Sequence, residues 1–279
     1  MPDTTPTIIT PATTTSPATE TKRKTFVPLE NNPQVMTSLL HSLGLSPSLA
    51  LHDVYSLTDP SLLAFVPRPA SALLLVFPVS EGYERYRREE DEGVSEYGGK
   101  GFATDAGEGK LGEVGGEGDG GKEGKEGGVL WFRQTIRNSC GLMALLHAAG
   151  NGSAREFVDP DSTLGKLLKE ATPLAPTERA ELLYNSPALE AAHSASAQQG
   201  DTAAPPADDI VELHFVTFVV VNGKLWELDG RRKGPICRGE VGDEDVLGER
   251  ALEMGPRRFV GREEGEVRFS VVALGPGLD

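Results

Sequence analysis

Residues 129–149, VLWFRQTIRNSCGLMALLHAA, mark the place where a polar segment gives way to an apolar helix. One of the two cysteines of the chain, Cys140, stands at this place, and the residues after it favour a helix. With Asn138 or Ser139 as the N-cap, the Cys140 thiol would lie in the first helical turn, where the backbone N–H groups and the helix dipole favour the reactive thiolate. The alternative is a small buried hydrophobe, which is the commoner role of a lone cysteine.

A second stretch, LHFVTFVVVNGKLWELD at residues 213–229, predicts a β-hairpin. The Asn222-Gly223 pair favours a two-residue type I′ turn between the strands. In that register His214 and Asp229 are diagonal neighbours on one face, about 7–8 Å apart at Cα and within reach of each other's side chains. An Asp in this position fixes the tautomer of the His and stabilises its imidazolium. Two polar residues at the rim of a sheet are the simpler alternative.

Gln134, six residues before Cys140, is a candidate for a different task. A side-chain amide just upstream of a nucleophile can donate, together with a backbone N–H, to a developing oxyanion. A surface glutamine at a helix entry is the alternative. His147 lies two turns along the helix from Cys140, too far to act as its base, so a structural or surface role is expected. Cys237, in a Pro/Gly/Arg loop, is expected to be an ordinary thiol.

The composition argues against several classes of function. The 279 residues carry 42 acidic and 27 basic side chains, for a net charge of −15, which speaks against nucleic acid as the main partner and suits a basic one. The two cysteines form neither a disulfide framework nor a zinc pattern, so a reducing compartment without a metal or cofactor is expected. No apolar run reaches about 18 residues, and the start of the chain lacks the apolar core of a signal peptide, so no membrane partner is expected.

The order of the segments predicts a single domain of mixed α/β (α+β) class. Helices precede, interrupt and follow the strands without a regular βαβ period. Residues 1–24 have the composition of a disordered Thr/Pro-rich tail, and residues 25–279 form the domain. Within it, the Gly-, Glu- and Lys-rich residues 93–128 are interpreted as a flexible insertion, and residues 186–209 as a long loop.

Local patterns predict the main elements of the domain. Asn32 and Pro33 begin a helix with an apolar stripe, and Asp161 or Ser162 caps a later one. A charged helix is expected at Glu81–Asp91. The predicted strands are Ser71–Val79, which is apolar on both faces, Leu213–Val221, Lys224–Asp229 and Glu266–Leu274.

The quoted motifs resemble one known family. QTIRNSCG, at residues 134–141, and LHFVTFVVVNGKLWELDGR, at residues 213–231, are similar to segments of the ubiquitin C-terminal hydrolases, the papain-like thiol hydrolases of the ubiquitin system. FVPLENNPQV, HDVYSL, LLAFVPRPASALLLVFPV, YERYRREE, STLGKLLKEA and RFSVVAL resemble that family in the same order. The resemblance runs from about Phe26 to Leu274, apart from residues 93–128, and it departs at Ser139, where the family usually has Ala.

The resemblance implies a role for each candidate residue. Cys140 would be the nucleophile, His214 its general base and then the proton donor, Asp229 the residue that orients His214, and Gln134 the oxyanion donor. The implied fold is a papain-like central antiparallel sheet flanked by helices, with a knotted chain path. Residues 186–209 would be a crossover loop that restricts leaving groups to small adducts or short peptide extensions.

The function expected from these residues is thiol-dependent deubiquitination through an acyl-enzyme thioester, with ubiquitin as the partner. Two alternatives remain open at this point. One is a catalytically silent ubiquitin-binding module, and the other is the same chemistry on NEDD8, whose C-terminal tail is similar. A monomer is expected, in the cytoplasm and also in the nucleus.

Overall fold

An antiparallel sheet of six strands forms the centre of the molecule. The computed structural model describes residues 24–92, 128–201, 206, 209, 212–262, 266 and 268–278. The strands are β1 (Leu49–Asp53), β2 (Ala72–Pro78), β3 (Leu213–Val221), β4 (Lys224–Leu228), β5 (Ile236–Glu240) and β6 (Ser270–Pro276). Their order across the sheet is β1-β6-β2-β3-β4-β5, and every neighbouring pair is antiparallel.

Helices cover the sheet and confirm the expected class. They are α1 (Pro33–Leu43), α2 (Pro60–Leu63), α3 (Glu81–Glu92), α4 (Cys140–Ala149), α5 (Thr163–Ala171), α6 (Pro176–Tyr184), α7 (Pro187–Ala197), α8 (Glu249–Leu252) and α9 (Arg258–Val260), with a 3₁₀ helix at Gly152–Phe157 and a π-helical turn at Glu253–Arg257. In the described part of the chain, none of these helices has the length and apolar character needed to cross a bilayer. The knotted chain path stays a prediction.

Strand β2 separates two hydrophobic cores. Its alternate residues Ala72, Leu74 and Val76 belong to the first core, together with most of α1 and α4. The residues between them, which include Phe77, belong to the second core, together with Tyr83 of α3. The strand is therefore buried on both faces, as its unbroken apolar sequence predicts.

The β3–β4 hairpin forms in the predicted register. Asn222 and Gly223 have φ of +52° and +70°, which is the left-handed conformation that a type I′ turn requires at both central positions. Val221 pairs with Lys224, and the pairing continues to Thr217 opposite Leu228. Asp229 therefore follows the last paired residue of β4 directly.

Helix boundaries follow from capping as the sequence predicts. The Asn32 side chain accepts hydrogen bonds from the backbone N–H groups of Gln34 and Val35, with Pro33 as the first helical residue. Ser162 caps α5 in the same way, through a bond from the N–H of Gly165. Both helices turn an apolar stripe toward the first core.

Three boundary predictions are wrong. Residues 187–197, predicted as part of a long loop at 186–209, form helix α7. Ser186 caps this helix and Pro187 is its first residue, and the side chains of Leu189 and His193 on its inner face are buried. A segment of small and polar residues can therefore form a helix when the side chains along one of its faces are buried against the protein. Cys237 lies in strand β5 and not in a loop, and the last strand covers Ser270–Pro276 where Glu266–Leu274 is expected. The tail 1–23 and the insertion 93–127 lie outside the described residues.

Candidate active site

Cys140 is the first residue of α4, at the end of the sheet where β3 begins. The helix behind it is almost wholly buried, and a Cβ added to Gly141 would meet Leu29 at 3.1 Å, so the helix start is packed closely against the segment before α1. The thiol itself is partly exposed, and its Sγ lies 4.0 Å from the backbone oxygen of Leu213, the residue before His214.

Of the two predicted N-caps of α4, the structure confirms the position of Ser139, without a capping bond from its side chain. Ser139 occupies the cap position, but its hydroxyl donates to the backbone oxygen of Ile136 at 2.9 Å and makes no cap bond. Asn138 adopts a left-handed conformation with φ of +59°. The Asn138 amide points toward Asp209, donating to its backbone oxygen at 3.4 Å. No side chain at the cap position therefore competes with the Cys140 thiol for the backbone N–H groups of the first helical turn.

His214 and Asp229 form a buried pair, as the hairpin register predicts. Nε2 of His214 lies 2.7 Å from Oδ1 of Asp229, and both side chains are almost completely buried. Because Nε2 faces the carboxylate, Nδ1 is the ring nitrogen left for the Cys140 thiol. The edge of the His214 ring also contacts Phe77, which fixes the plane of the imidazole.

Electrostatics keep this pair ionised. Burial by itself lowers the pKa of His214, but the charge of Asp229 and its hydrogen bond, with a further contribution from the Cys140 thiol, raise it from 6.5 to about 9. Burial alone would raise the pKa of Asp229, yet His214 and the hydrogen bonds from Tyr83 and Arg231 hold it well below its usual range. At neutral pH the site therefore holds an imidazolium beside a carboxylate, and an adjacent imidazolium stabilises a thiolate.

Gln134 lies between the cysteine segment and the segment that carries Asp229. Its backbone N–H donates to the oxygen of Gly230 at 2.9 Å, and its Nε2 donates to the oxygen of Ile136 at 3.3 Å. A Cβ at position 230 would lie 2.9 Å from the Cβ of Gln134, so this approach requires a glycine. A side-chain amide nitrogen carries two hydrogens, and the bond to Ile136 uses one of them.

A cavity of about 600 Å³ brings these side chains to one surface. Cys140, His214 and Gln134 line it. The other lining residues are Pro28, Leu29, Glu30, Asn31, Val76, Val79, Thr135, Ile136, Arg137, Asn138, Ala197, Leu213, Phe215 and Arg231. Asp229 lies behind His214 and is not part of the lining. Three of the four predicted site residues therefore reach one cleft, and the fourth supports one of them.

Tyr83 belongs to this site, and the sequence analysis missed it. Its hydroxyl donates to Oδ2 of Asp229 at 2.6 Å, from a side chain that is 1% exposed. The only signal in the sequence is an aromatic residue three positions before Tyr86 on an otherwise charged helix. That pattern identifies a buried stripe on the helix but does not indicate its target.

The other histidines are structural. His147 is buried and its Nε2 accepts the backbone N–H of Phe132 at 3.0 Å, while burial lowers its pKa to about 4. The structural alternative for His147 is thus confirmed and the surface alternative is wrong. His193, on α7, stacks on Phe26 and bonds the backbone oxygen of Val27. Within the described residues, no group of three or more His, Cys, Asp and Glu side chains is arranged to hold a metal ion.

Comparison with known proteins identifies similar chains over nearly the whole length. Residues 26–255 match the family model described as ubiquitin carboxyl-terminal hydrolase, family 1. The ubiquitin carboxyl-terminal hydrolase isozyme L1 of Monodelphis domestica is 37% identical over 247 residues, which cover 88% of this chain and 96% of that protein. The ubiquitin carboxyl-terminal hydrolase 3 of Arabidopsis thaliana is 32% identical over 262 residues, which cover 94% of this chain and 97% of that protein.

Solved structures show the same fold. The catalytic domain of Trichinella spiralis UCH37, bound to ubiquitin vinyl methyl ester, superposes with a TM-score of 0.62 at 22% identity, covering 90% of this chain and 95% of that one. A second structure of that protein with the same ligand gives a TM-score of 0.59 at 20% identity. At this identity the likeness supports the architecture of the sheet and its helices.

Proposed function

This chain belongs to family 1 of the ubiquitin carboxyl-terminal hydrolases, and from that premise we propose that it hydrolyses small adducts or short peptide extensions from the C-terminal glycine of ubiquitin. The chain is a cysteine-type ubiquitinyl hydrolase by its family. The observation that carries the proposal is the arrangement of Cys140 in an open cleft beside His214, with His214 held by a buried Asp229.

The proposed reaction begins with the Cys140 thiolate. Its sulfur attacks the carbonyl carbon of the terminal glycine, while His214 holds the proton that left the thiol. The carbonyl oxygen becomes an oxyanion, which accepts hydrogen bonds from the Gln134 amide and from the backbone N–H at Cys140. The carbon–nitrogen bond then breaks, and His214 gives its proton to the leaving amine.

The second half of the reaction releases ubiquitin. A water molecule attacks the thioester while neutral His214 takes one of its protons, and the same proton returns to the Cys140 sulfur as the carbon–sulfur bond breaks. Asp229 remains ionised throughout and stabilises the imidazolium each time it forms. The low pKa of Asp229 supports this assignment, because a carboxylate that stays charged cannot take the proton itself.

The restriction to small leaving groups rests on the segment between α7 and β3. Two of its described residues contact the rim of the cleft: Asp201 accepts a bond from the Asn32 amide at 3.0 Å, and the backbone oxygen of Asp209 accepts one from Asn138. Asn138 is two residues from Cys140, so Asp209 lies near the proposed nucleophile. A crossing segment would admit an extended tail and exclude a folded leaving group.

Ubiquitin is the proposed partner because its tail is basic and this chain carries a net charge of −15. NEDD8 has a similar tail and is the alternative substrate. A ubiquitin-binding module without turnover is the alternative function, and the presence of all four catalytic residue types in one site speaks against it. We propose a monomer that works in the cytoplasm and the nucleus.

Hydrolysis of C-terminal fluorogenic amides tests this proposal. The substrates are ubiquitin and NEDD8, each carrying a fluorogenic amide at its C-terminus (ubiquitin amide and NEDD8 amide). Each substrate is given to the wild-type chain and to Cys140→Ala. We expect rapid release from the ubiquitin amide by the wild type and none by Cys140→Ala, which should still bind ubiquitin. Preferential release from the NEDD8 amide would reassign the modifier, and ubiquitin binding without release from either amide would establish the binding module.

A further inference from the structure

We propose that Tyr83 is a positioning residue of the reaction, which holds the Asp229 carboxylate in the orientation that supports His214. This inference rests on the proposed function and adds a fourth participant behind the Cys-His-Asp arrangement. Tyr83 is not among the residues that line the cleft, and its ring lies tilted against His214 with the ring centroids 6.4 Å apart. The Tyr83 hydroxyl bonds Asp229, so removing the hydroxyl while keeping the ring acts through Asp229.

The hydrogen bonds of Asp229 divide between its two oxygens. Oδ1 receives Nε2 of His214 at 2.7 Å and the backbone N–H of Arg231 at 2.8 Å. Oδ2 receives only the Tyr83 hydroxyl among the hydrogen bonds of the described residues, at 2.6 Å. Rotation of the carboxylate about its Cβ–Cγ bond would carry Oδ1 away from His214, and the hydrogen bond of Tyr83 to Oδ2 opposes that rotation.

The Tyr83 hydroxyl is itself held in place and keeps its proton. Its ring packs edge-on against Phe77 at 4.7 Å and tilted against Phe259 at 5.7 Å. Burial, together with the charge of Asp229, raises the pKa of Tyr83 well above its ordinary value. The group is therefore a donor throughout the working pH range and cannot take a proton from Asp229.

Helix α3 is anchored to the same segment that carries Asp229. Glu84 pairs with Arg231, and Arg87 donates to the backbone oxygen of Arg231 at 3.2 Å. Asp91 pairs with the buried Arg232 at 3.1 Å. Glu84 is next to Tyr83, and Arg87 and Asp91 lie one and two turns beyond it, so the hydroxyl reaches Asp229 from a helix that cannot shift without breaking ion pairs.

Several charged or titratable groups lie around Asp229. They are His214 and Cys140 in the site, Tyr83 and Arg87 from α3, His147 from α4, Glu227 from β4, and Arg231 and Arg232 from the following loop. Tyr83→Phe removes one hydroxyl from this set and no charge. Any change in the titration of His214 in that variant therefore reports the geometry of Asp229.

The test compares Tyr83→Phe with Tyr86→Phe, the same chemical change one helical turn away. The Tyr86 hydroxyl faces Arg238 and Glu90, not Asp229. With ubiquitin amide as substrate, we expect Tyr83→Phe to lower kcat about tenfold with KM within twofold, and to move the alkaline limb of the pH profile to lower pH. The reason for the shift is that a displaced carboxylate stabilises the imidazolium less. Tyr86→Phe should change neither.

Two further measurements separate positioning from folding. Active-site titration with ubiquitin vinyl methyl ester corrects kcat for any unfolded fraction. In an Asp229→Asn background, Tyr83→Phe should cause no further loss of kcat. If the effect of Tyr83→Phe were purely structural, kcat of the double variant would fall by the product of the two single-variant factors. An unmoved pH profile with full kcat in Tyr83→Phe, or an equal additional loss in the double variant, would overturn the inference.

A third measurement does not require the proposed function. In a Cys237→Ser background, the rate at which iodoacetamide alkylates Cys140 reports the thiolate that His214 stabilises. We expect Tyr83→Phe to slow alkylation severalfold at pH 6, while Tyr86→Phe leaves it unchanged. A wild-type chain that fails on ubiquitin amide would refute the proposed function and leave alkylation as the test of Tyr83. Equal alkylation rates in Tyr83→Phe and Tyr86→Phe would refute the role of Tyr83.

Discussion

At the scale of residues, the proposed mechanism depends on an ionised pair of side chains, His214 and Asp229, in a buried position. His214 is 3% exposed and Asp229 is 0% exposed, and each is stabilised in its ionised form by the other. Removing the carboxylate would leave an imidazolium without a partner in a dry site, and the ring would lose its proton instead. The proposed reaction uses that proton for the leaving amine.

Asp229→Asn tests this dependence. An amide keeps the shape of the side chain but can no longer stabilise the imidazolium, so we expect kcat to fall at least tenfold while ubiquitin binding remains. The loss should be smaller than that of Cys140→Ala, because the nucleophile and the oxyanion donors are still present. Steady-state rates and ubiquitin affinity measured on both variants decide this, and an unchanged rate would remove Asp229 from the mechanism.

The pH profile offers a test without mutation. The pKa of His214 is raised to about 9, so its proton is present below that pH and is lost as the pH rises through it. The His214 imidazolium that the proposed reaction uses is lost with that proton. We expect kcat/KM on ubiquitin amide to decline on the alkaline side near pH 9. In Asp229→Asn the alkaline decline of kcat/KM should begin at lower pH. A decline at the same pH in the wild type and in Asp229→Asn would contradict the proposed role of Asp229.

Sequence predicted the part of the site that follows from strand register. Once Asn222-Gly223 fixes the turn, the separation of His214 from Asp229 follows from the period of a strand, and the structure confirms it. The contact of Tyr83 with Asp229 could not be predicted in this way, because it joins residues 146 positions apart on a helix and a loop. Ser139 occupies the N-cap of α4 as predicted, but its hydroxyl makes no capping bond because it donates to the backbone oxygen of Ile136.

At the scale of elements, helix α3 and the end of the β3–β4 hairpin are joined by a buried ionic cluster. Arg232 pairs with Glu90, Asp91 and Glu227, and its side chain has no exposed surface. Arg238 of β5 shares Glu90 and Glu227 with it. A cluster of this kind specifies one relative placement of helix and sheet, since any slip would leave buried charges unpaired.

Arg232→Met should therefore destabilise the fold. The variant leaves three acidic side chains without their shared cation, and we expect the free energy of unfolding to fall by roughly 3–5 kcal/mol. Arg250→Met is the control, because its ion pair with Glu244 spans 3.8 Å on a side chain that is 70% exposed. Breaking such a surface pair costs roughly 0–1 kcal/mol.

Urea unfolding of both variants, followed by circular dichroism, measures the difference. Equal midpoints for Arg232→Met and Arg250→Met would show that the buried cluster does not hold α3 in place. The prediction concerns stability alone, so activity is compared only under conditions in which both variants remain folded.

At the scale of the whole molecule, the site lies where the two cores meet. Cys140 starts a helix of the first core, while Tyr83 belongs to the second core and His214 contacts Phe77 of that core across the end of the sheet. Sequence predicted this two-sided sheet from the apolar run of β2. It did not predict α7, because the small and polar residues of that helix carry no strong periodic signal without the surface they cover.

The segment 93–127 lies outside the described residues, and its composition predicts that it is dispensable. The contacts of α3 with the segment that carries Asp229 end at Asp91, before these residues begin. Replacing these residues by a Gly/Ser linker of about twelve residues, which can span at most about 40 Å, should leave kcat/KM within about twofold. A large loss in that variant, with an unchanged melting temperature, would place the segment in substrate binding.

The central claim is that Cys140 is the nucleophile, and the chain provides its own control in Cys237, an exposed cysteine on β5. The most direct measurement is the reaction of ubiquitin vinyl methyl ester with the wild type, Cys140→Ala and Cys237→Ala, followed by mass spectrometry of the peptides. We predict a single ubiquitin adduct on Cys140 in the wild type, the same adduct in Cys237→Ala and none in Cys140→Ala. An adduct that persists in Cys140→Ala, or that maps to Cys237, would contradict the account.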